Sequence, residues 1–347
     1  MRTVGGYIGN IYIIFIETED LILFWENVEN ITLPSEERKS KMYLLGLEEF
    51  MVYMSEDNNG GNFMFCSKNG NVRVYAFADE ASGMIDRQIE AMKRNNLNGL
   101  EIRNVDGTNV SDISLEKAKE VKKKLDAAGL VTWSIGSPLG KIGITDDFAP
   151  HLDKLKHTLD VADCLGAKNI RMFSFYLPRE AKVADYKDEV IDRLGQFVDA
   201  AKGSGIDLCH ENEKGIYGDI PERCLELHKA LPELRGIFDF ANYVQCDVDT
   251  LPGWELLKGY IKYLHIKDAI FGGKVVPAGK GDGNVAKLVQ AFIAQGGLDM
   301  TIEPHLTVFD GLKKLEREGE ESAVEEFAYA SSDEAFDAAC SALREIL

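Results

Sequence analysis

From Val72 to the C-terminus the chain repeats one unit, in which a short apolar run leads through a polar turn to an amphipathic stretch and then to the next run. The runs are Val72–Ala78, Gly99–Val105, Val131–Ser137, Asn169–Tyr176, Asp207–Glu213, Gly236–Asn242, Lys262–Asp268 and Met300–Leu306. Between them, apolar residues recur at helical spacing: Met84, Ile85, Ile89 and Met92; Ala118, Val121 and Leu125; Leu152, Leu155, Leu159, Ala162 and Leu165; Val190, Leu194, Phe197 and Ala200; Val285, Leu288, Val289 and Phe292. Glycines mark helix stops at Gly129, Gly166, Gly203, Gly205, Gly296 and Gly297. Strands alternating with helices demand a parallel sheet, and eight such units over about 250 residues fit a closed (β/α)8 barrel, an α/β fold, better than an open sheet. The first run reads Val74-Tyr75-Ala76-Phe77-Ala78-Asp79-Glu80, with no GxGxxG behind it, which disfavours a dinucleotide-binding sheet.

Four of these runs close on metal-binding residue types. Leu208-Cys209-His210-Glu211, Ile237-Phe238-Asp239, Leu264-His265 and Thr301-Ile302-Glu303 bring one such side chain each to the ends of strands five to eight. Functional groups of a (β/α)8 barrel lie at the C-terminal ends of its strands, and a buried carboxylate needs a cation. Glu211, Asp239, His265 and Glu303 are therefore expected around one divalent ion. Side chains alternate along a strand, so Glu213, Lys267 and His305 should point the same way one layer higher and meet substrate, whereas His210, Ile266 and Ile302 should face the helices. Arg103, at the end of strand two, is a further substrate-binding candidate or a partner for a carboxylate. Trp133, Phe173, Phe175 and Phe271 could wall a sugar-sized pocket or pack the barrel. His151, His157 and His228 fall on helical stretches and read as surface or packing residues, and Leu315–Glu326 as a solvated acidic helix face.

Composition narrows the partners. Lys and Arg total 39 against 58 Asp and Glu, a net charge of −19, which repels phosphate backbones and anionic lipid and argues against nucleic acid and membrane as partners. Six cysteines (66, 164, 209, 224, 246 and 340) form no CxxC pair, as expected of a reducing, cytoplasmic setting. The run Ile11–Ile16 is interrupted by Glu17 and lacks a basic flank, so it reads as neither a signal peptide nor a membrane span. Residues 1–70 differ from the rest. Strand-like pieces at Tyr12–Ile16, Leu21–Phe24 and Met51–Met54 are separated by acidic and Asn/Gly-rich breaks, so they are expected to be an N-terminal extension outside a barrel spanning 71–347. Helices and barrel ends are common oligomer surfaces, and a homo-oligomer is an expectation of that general kind.

Carboxylates with one imidazole suit Mn²⁺ first, with Mg²⁺, Co²⁺ or Zn²⁺ as alternatives. An ion so held binds adjacent oxygens of a hydroxy-ketone and stabilises the charge that develops on deprotonation between them. Glu211 and Glu303, on strands five and eight, can flank that carbon as base and acid.

These stretches carry a resemblance. Phe77-Ala78-Asp79-Glu80, Gly99-Leu100-Glu101-Ile102-Arg103, Arg171-Met172-Phe173-Ser174, Glu211-Asn212, Phe238-Asp239-Phe240-Ala241-Asn242, Leu264-His265-Ile266-Lys267-Asp268, Pro277-Ala278-Gly279-Lys280-Gly281-Asp282-Gly283 and Ile302-Glu303-Pro304-His305 resemble the sugar phosphate isomerase/epimerase group of xylose-isomerase-like barrels over about four fifths of the chain. The resemblance implies one metal on Glu211, Asp239, His265 and Glu303, with Glu211 and Glu303 also moving protons. The implied substrate is a sugar, sugar phosphate or cyclitol. Ketose 3-epimerases of this group carry a substrate-binding His where this chain has Asn242, and an Arg where it has Phe271. Asn242 is thus expected to touch substrate together with Arg103, Lys267 and His305. A dehydratase or lyase acting on a keto-sugar shares the deprotonation step. A related endonuclease IV-like phosphodiester hydrolase would cluster several metals on more histidines than the six in this chain, and a barrel that binds ligand without turnover is the remaining alternative.

Overall fold

The computed structural model describes residues 4–8, 11–15, 42–46, 51–55, 62–66, 72–180, 182–307 and 329–347. The chain divides into two units, Met1–Val72 and Arg73–Leu347. In the first, Val4–Ile8, Ile11–Phe15, Met42–Gly46, Met51–Ser55 and Asn62–Cys66 form one five-stranded sheet in chain order, antiparallel except where Ile11–Phe15 runs parallel to Met42–Gly46. The extension therefore has a sheet of its own; Leu21–Phe24 lies outside the described residues.

The second unit is the expected barrel. Its strands are β1 (Arg73–Ala76), β2 (Gly99–Ile102), β3 (Val131–Ile135), β4 (Asn169–Met172), β5 (Asp207–Glu211), β6 (Arg235–Asp239), β7 (Ile261–Ile266) and β8 (Asp299–Ile302). All neighbours pair in parallel, and β8 closes the ring on β1 with Asp299 opposite Arg73. A two-point ion pair locks that seam, Arg73 Nε and Nη2 each lying 2.7 Å from an Asp299 carboxylate oxygen. Both faces of such strands are covered, so Gly99–Ile102 and Asn169–Met172 are buried throughout. The floor is filled by Trp133, stacked on Tyr75 at 5.0 Å and edge-on to Tyr263 at 5.9 Å.

Helices α1 (Ile85–Arg94), α2 (Leu115–Ala127), α3 (Ala149–Leu165), α4 (Lys187–Ala201), α5 (Pro221–Ala230), α6 (Phe240–Val244), α7 (Thr250–Leu257), α8 (Val285–Ala294) and α9 (Ser332–Ile346) complete the described unit. Their ends follow local chemistry. Ser114 caps α2 by accepting from the Lys117 amide, and α3 stops at Gly166 in the left-handed region, φ 74°. No described helix is long and apolar enough to cross a membrane. His228 on α5 is a packing residue, stacked on Tyr260, and His151 on α3 accepts from the Gly140 amide. Leu315–Glu326 lies outside the described residues.

Every strand ends before its apolar run does. The run Gly236–Asn242 stops being a strand at Asp239, whose Oδ1 accepts from the Asn242 amide at 2.8 Å and so starts α6; Asn242 sits on a helix rather than a strand end. At Phe175 (φ 64°) and His305 (φ 44°) the backbone enters the left-handed region, which bulky residues rarely adopt. The strands thus release the chain at the mouth, where loops must turn sharply.

One loop is built on a single carboxylate. Asp268 accepts from the amides of Ala269, Gly279, Gly281 and Gly283 at 2.9–3.0 Å, gathering the Pro277–Gly283 turn against β7. A Cβ on Gly281 would lie 2.4 Å from the Ala269 carbonyl oxygen, so the turn also needs that glycine. Asp268→Ala leaves four donors without their acceptor, and a loss of about 3 kcal/mol is expected. Thermal unfolding should register it as a fall of roughly 6 °C or more; an unchanged midpoint would show that the turn holds itself.

Candidate metal centre

Alternation along the strands builds the centre in layers. Cys209, Ile237 and Tyr263 pack together inside the barrel with Trp133 against them. Two residues on, the same parity aims Glu211, Asp239 and His265 inward at the next layer, and Glu303 joins them from the end of β8. One ligand-type atom from each of these four buried residues lies within 4.8 Å of the other three. His265 Nδ1 is 2.9 Å from Glu211 Oε1, 3.7 Å from Glu303 Oε2 and 4.0 Å from Asp239 Oδ2. The four strand-end residues singled out in the sequence therefore converge on one point. His210, of opposite parity, turns outward and its Nε2 lies 2.9 Å from Ser174 Oγ.

The other expected residues surround this group. Lys267 Nζ stands 3.0 Å from Asp239 Oδ2 and 2.9 Å from Glu303 Oε2, so its ammonium sits at the centre itself. The Arg103 guanidinium is buried among Asp79 (2.9 Å), Glu80 (3.0 Å) and Glu303 (3.1 Å), and it holds Glu303 in place. His305 donates its backbone amide to Glu80 Oε2 at 2.6 Å, and its Nε2 is 3.7 Å from Glu303 Oε1. Asn242 Nδ2 donates to the Asn212 carbonyl at 2.8 Å and faces Glu211 Oε1 at 3.4 Å. Glu213 turns to the rim and pairs with Lys141 at 2.8 Å. Glu80, Glu303 and His305 form a second acidic cluster, but the Arg103 guanidinium already lies against both of its carboxylates.

Two buried residues join the centre without having been singled out. Arg171, on β4, lies between the faces of Phe77 and Phe173 (4.8 and 5.0 Å) with Nη1 3.2 Å from Glu211 Oε2 and 3.8 Å from Glu303 Oε1. Glu101, on β2, receives His265 Nε2 at 3.0 Å. Each is a charged residue inside an otherwise apolar run, Arg171 the only one in its run and Glu101 two residues before Arg103, and that is the signal the sequence offered.

Charge sets the protonation states. Burial would raise the Glu211 carboxyl, but His265 and Arg171 outweigh it and bring it to about 2. Burial acts the same way on Glu303, and Lys267, His305, His265 and Arg103 hold it well below the usual carboxylate range. Burial pushes Asp239 up to about 7, with Lys267 opposing and Glu211 and Glu303 assisting. His265 is lowered by burial yet raised more by Glu211 and Glu101, reaching about 10. Burial likewise lifts Glu80 to about 8. The centre is thus an anionic cup closed by protons and ammonium groups, which a divalent cation can replace.

Several solved structures share this architecture. L-ribulose 3-epimerase superposes with a TM-score of 0.62 at 18% identity, covering 80% of this chain and 94% of that one. The 3-keto-D-glucoside 4-epimerase YcjR from E. coli gives 0.57 at 14% identity, covering 79% and 98%. The IOLI protein with a binding zinc atom gives 0.61 at 13% identity, covering 79% and 97%. At these identities the likeness establishes the fold. No curated protein matches the chain in sequence. The family model described as xylose isomerase-like TIM barrel matches residues 89–329, the greater part of the chain and nearly all of its barrel, and the chain belongs to that family.

Proposed function

We propose that the protein is a divalent-metal-dependent isomerase or epimerase that moves a proton next to the carbonyl of a sugar, sugar phosphate or cyclitol. The observation that carries this reading is the convergence of Glu211, Asp239, His265 and Glu303 from four successive strands. The donor set fits a metal: three carboxylates and one imidazole suit Mn²⁺, with Mg²⁺, Co²⁺ or Zn²⁺ as alternatives. Two buried oxygens fit it further, because Glu211 Oε2 and Asp239 Oδ2 accept no hydrogen bond, the first facing the Arg171 guanidinium and the second the Lys267 ammonium and, at 4.0 Å, the His265 ring. A buried polar atom without a hydrogen bond is costly, so these two are ready for a cation. The sugar epimerases of like fold support the substrate class.

A divalent ion held by these four residues would supply positive charge to a carbonyl oxygen and to the hydroxyl on the next carbon, making the C–H of that hydroxyl-bearing carbon more acidic. The protein's own groups then handle the proton. Glu211, held ionised, serves as the base. Glu303 is ionised as well, so on its side of the substrate the proton is supplied through Lys267, whose Nζ lies 2.9 Å from Glu303 Oε2. Arg103 and Arg171 fix the two carboxylates. Lys267, His305, Asn242 and Arg103 are the groups we assign to the substrate side, with Arg103 acting through Glu303. A reducing, cytoplasmic setting suits the five described cysteines, none of them in a disulfide.

Incubating the Mn²⁺-loaded protein with a panel of ketoses, ketose phosphates and keto-cyclitols in D₂O should place deuterium on a carbon adjacent to the carbonyl, read by NMR or mass. Exchange without loss of water from the product marks isomerisation or epimerisation, whereas loss of water marks a dehydratase. An absence of exchange across the panel counts against the reading.

A further inference from the structure

We infer that Glu101 is a positioning residue that fixes the His265 ring with Nε2 protonated and so keeps Nδ1 facing the metal cup. The inference rests on the proposed four-residue metal site and goes beyond it, since Glu101 touches none of the other three ligands. His265 has both ring nitrogens engaged: Nδ1 faces Glu211, Asp239 and Glu303, and Nε2 meets Glu101 Oε2 at 3.0 Å on the opposite side. A carboxylate can only accept, so each ring nitrogen facing one carries a proton in the metal-free protein; a cation in the cup displaces the proton on Nδ1, beside Glu211, and leaves the one held by Glu101 on Nε2. The remaining nitrogen, Nδ1, then has its lone pair free toward the cup when the ring is neutral.

Glu101 is itself held rigidly. Its other oxygen, Oε1, accepts from Tyr263 Oη at 2.9 Å and lies 3.2 Å from Ser134 Oγ, and those two hydroxyls are 3.1 Å apart. Glu101, Ser134, Tyr263 and His265 are all completely buried. Strands β2, β3 and β7 thus bring three polar side chains, Glu101, Ser134 and Tyr263, into the barrel interior beneath the cup and behind the His265 ring. Phe77 packs edge-on against the His265 ring at 5.3 Å. An anionic partner on the far nitrogen also increases the electron density of the near one, which strengthens it as a ligand.

The test uses the full chain and Mn²⁺ alone, with affinity measured by calorimetry. Glu101→Gln, which preserves shape, is expected to weaken Mn²⁺ binding about 10-fold, and Glu101→Ala about 100-fold. Tyr263→Phe removes one of the two hydroxyls on Oε1 and leaves Ser134 there, so it should weaken Mn²⁺ binding less than Glu101→Gln does. A purely structural role would lower the melting temperature in all three variants without separating their affinities. A second readout is the His265 tautomer in the Zn²⁺-loaded protein, followed by ¹⁵N NMR of histidine-labelled chains. Wild type should show the proton on Nε2, with the assignment lost or mixed in Glu101→Ala. Should Glu101→Ala not fold, Glu101→Gln carries both measurements. Equal Kd values and an unchanged tautomer in Glu101→Gln overturn the assignment while leaving the metal site standing. Failure of wild type to bind any divalent ion overturns the metal site, and the Glu101 inference with it.

Discussion

Glu303→Gln is expected to abolish carbon-bound proton exchange, with kcat falling about 10³-fold or more. No other carboxylate in the centre meets so many cations: Lys267 at 2.9 Å, Arg103 at 3.1 Å, His265 at 3.7 Å and Arg171 at 3.8 Å, with His305, which burial keeps neutral, at 3.7 Å. Gln keeps the volume but removes the negative charge and the capacity to take up a proton. It therefore deletes one member of the proton-transfer pair and weakens the metal cup in the same change. Saturating Mn²⁺ separates the two effects. If Glu303 were a ligand alone, high metal would restore most of the rate, whereas a proton-transfer role leaves kcat low once the metal site is full. Leaving four buried cations short of a partner also destabilises the barrel, by about 3–5 kcal/mol if none relaxes toward water. A circular-dichroism melt on the same sample shows whether the fold survives. Retention of more than a tenth of the wild-type rate at saturating metal would exclude Glu303 from the chemistry.

The barrel and the four convergent groups were legible because both follow from short-range periodicity. Cys209 with Glu211, Ile237 with Asp239, and Tyr263 with His265 are pairs two residues apart on their strands, so an apolar inward layer implies where the next inward residue points. The supporting groups were not legible, because their partners are brought together only by closing the ring. Glu101 and His265 are 164 residues apart, and Arg103 and Glu303 are 200 apart. A lone Glu or Arg in an apolar run announces that a partner exists without saying which. Asn242 was misplaced for a local reason: the apolar run continues past Asp239, but the Asp239 side chain caps a helix there. Helices α5 and α7 left no clear period in the sequence, being only 10 and 8 residues long, and their starts are set by Pro221 and Asp249 rather than by a long apolar stripe. Helix α9 does carry such a stripe, Ala335, Phe336, Ala339, Cys340 and Leu343, behind a Ser331 cap.

Metal affinity should weaken steeply as pH falls, by about 100-fold between pH 8 and pH 6 from His265 alone. In the metal-free protein the carboxylates beside His265 raise its pKa to about 10, so across this range the ring carries a proton on Nδ1 that must leave before that nitrogen can ligate. The sign follows from linkage: a group that loses its proton on binding costs a factor of ten in apparent affinity for each pH unit below its pKa. Asp239, lifted by burial to about 7, adds a second proton to be expelled at the acid end, so the slope should steepen below pH 7. Glu211 and Glu303 contribute nothing there, because both remain ionised throughout. Lys267 keeps its charge over the whole range and must instead give up its contact with Asp239, a cost separate from the loss of the His265 proton. Calorimetry of Mn²⁺ binding in buffers of different ionisation enthalpy counts the protons directly. One proton released per ion near pH 8 and more than one near pH 6 is the expected result. A Kd unchanged across that interval, with no proton released, would mean that the imidazole is not a ligand, and the centre would then lose the one nitrogen that favours Mn²⁺ over a purely oxygen-loving cation.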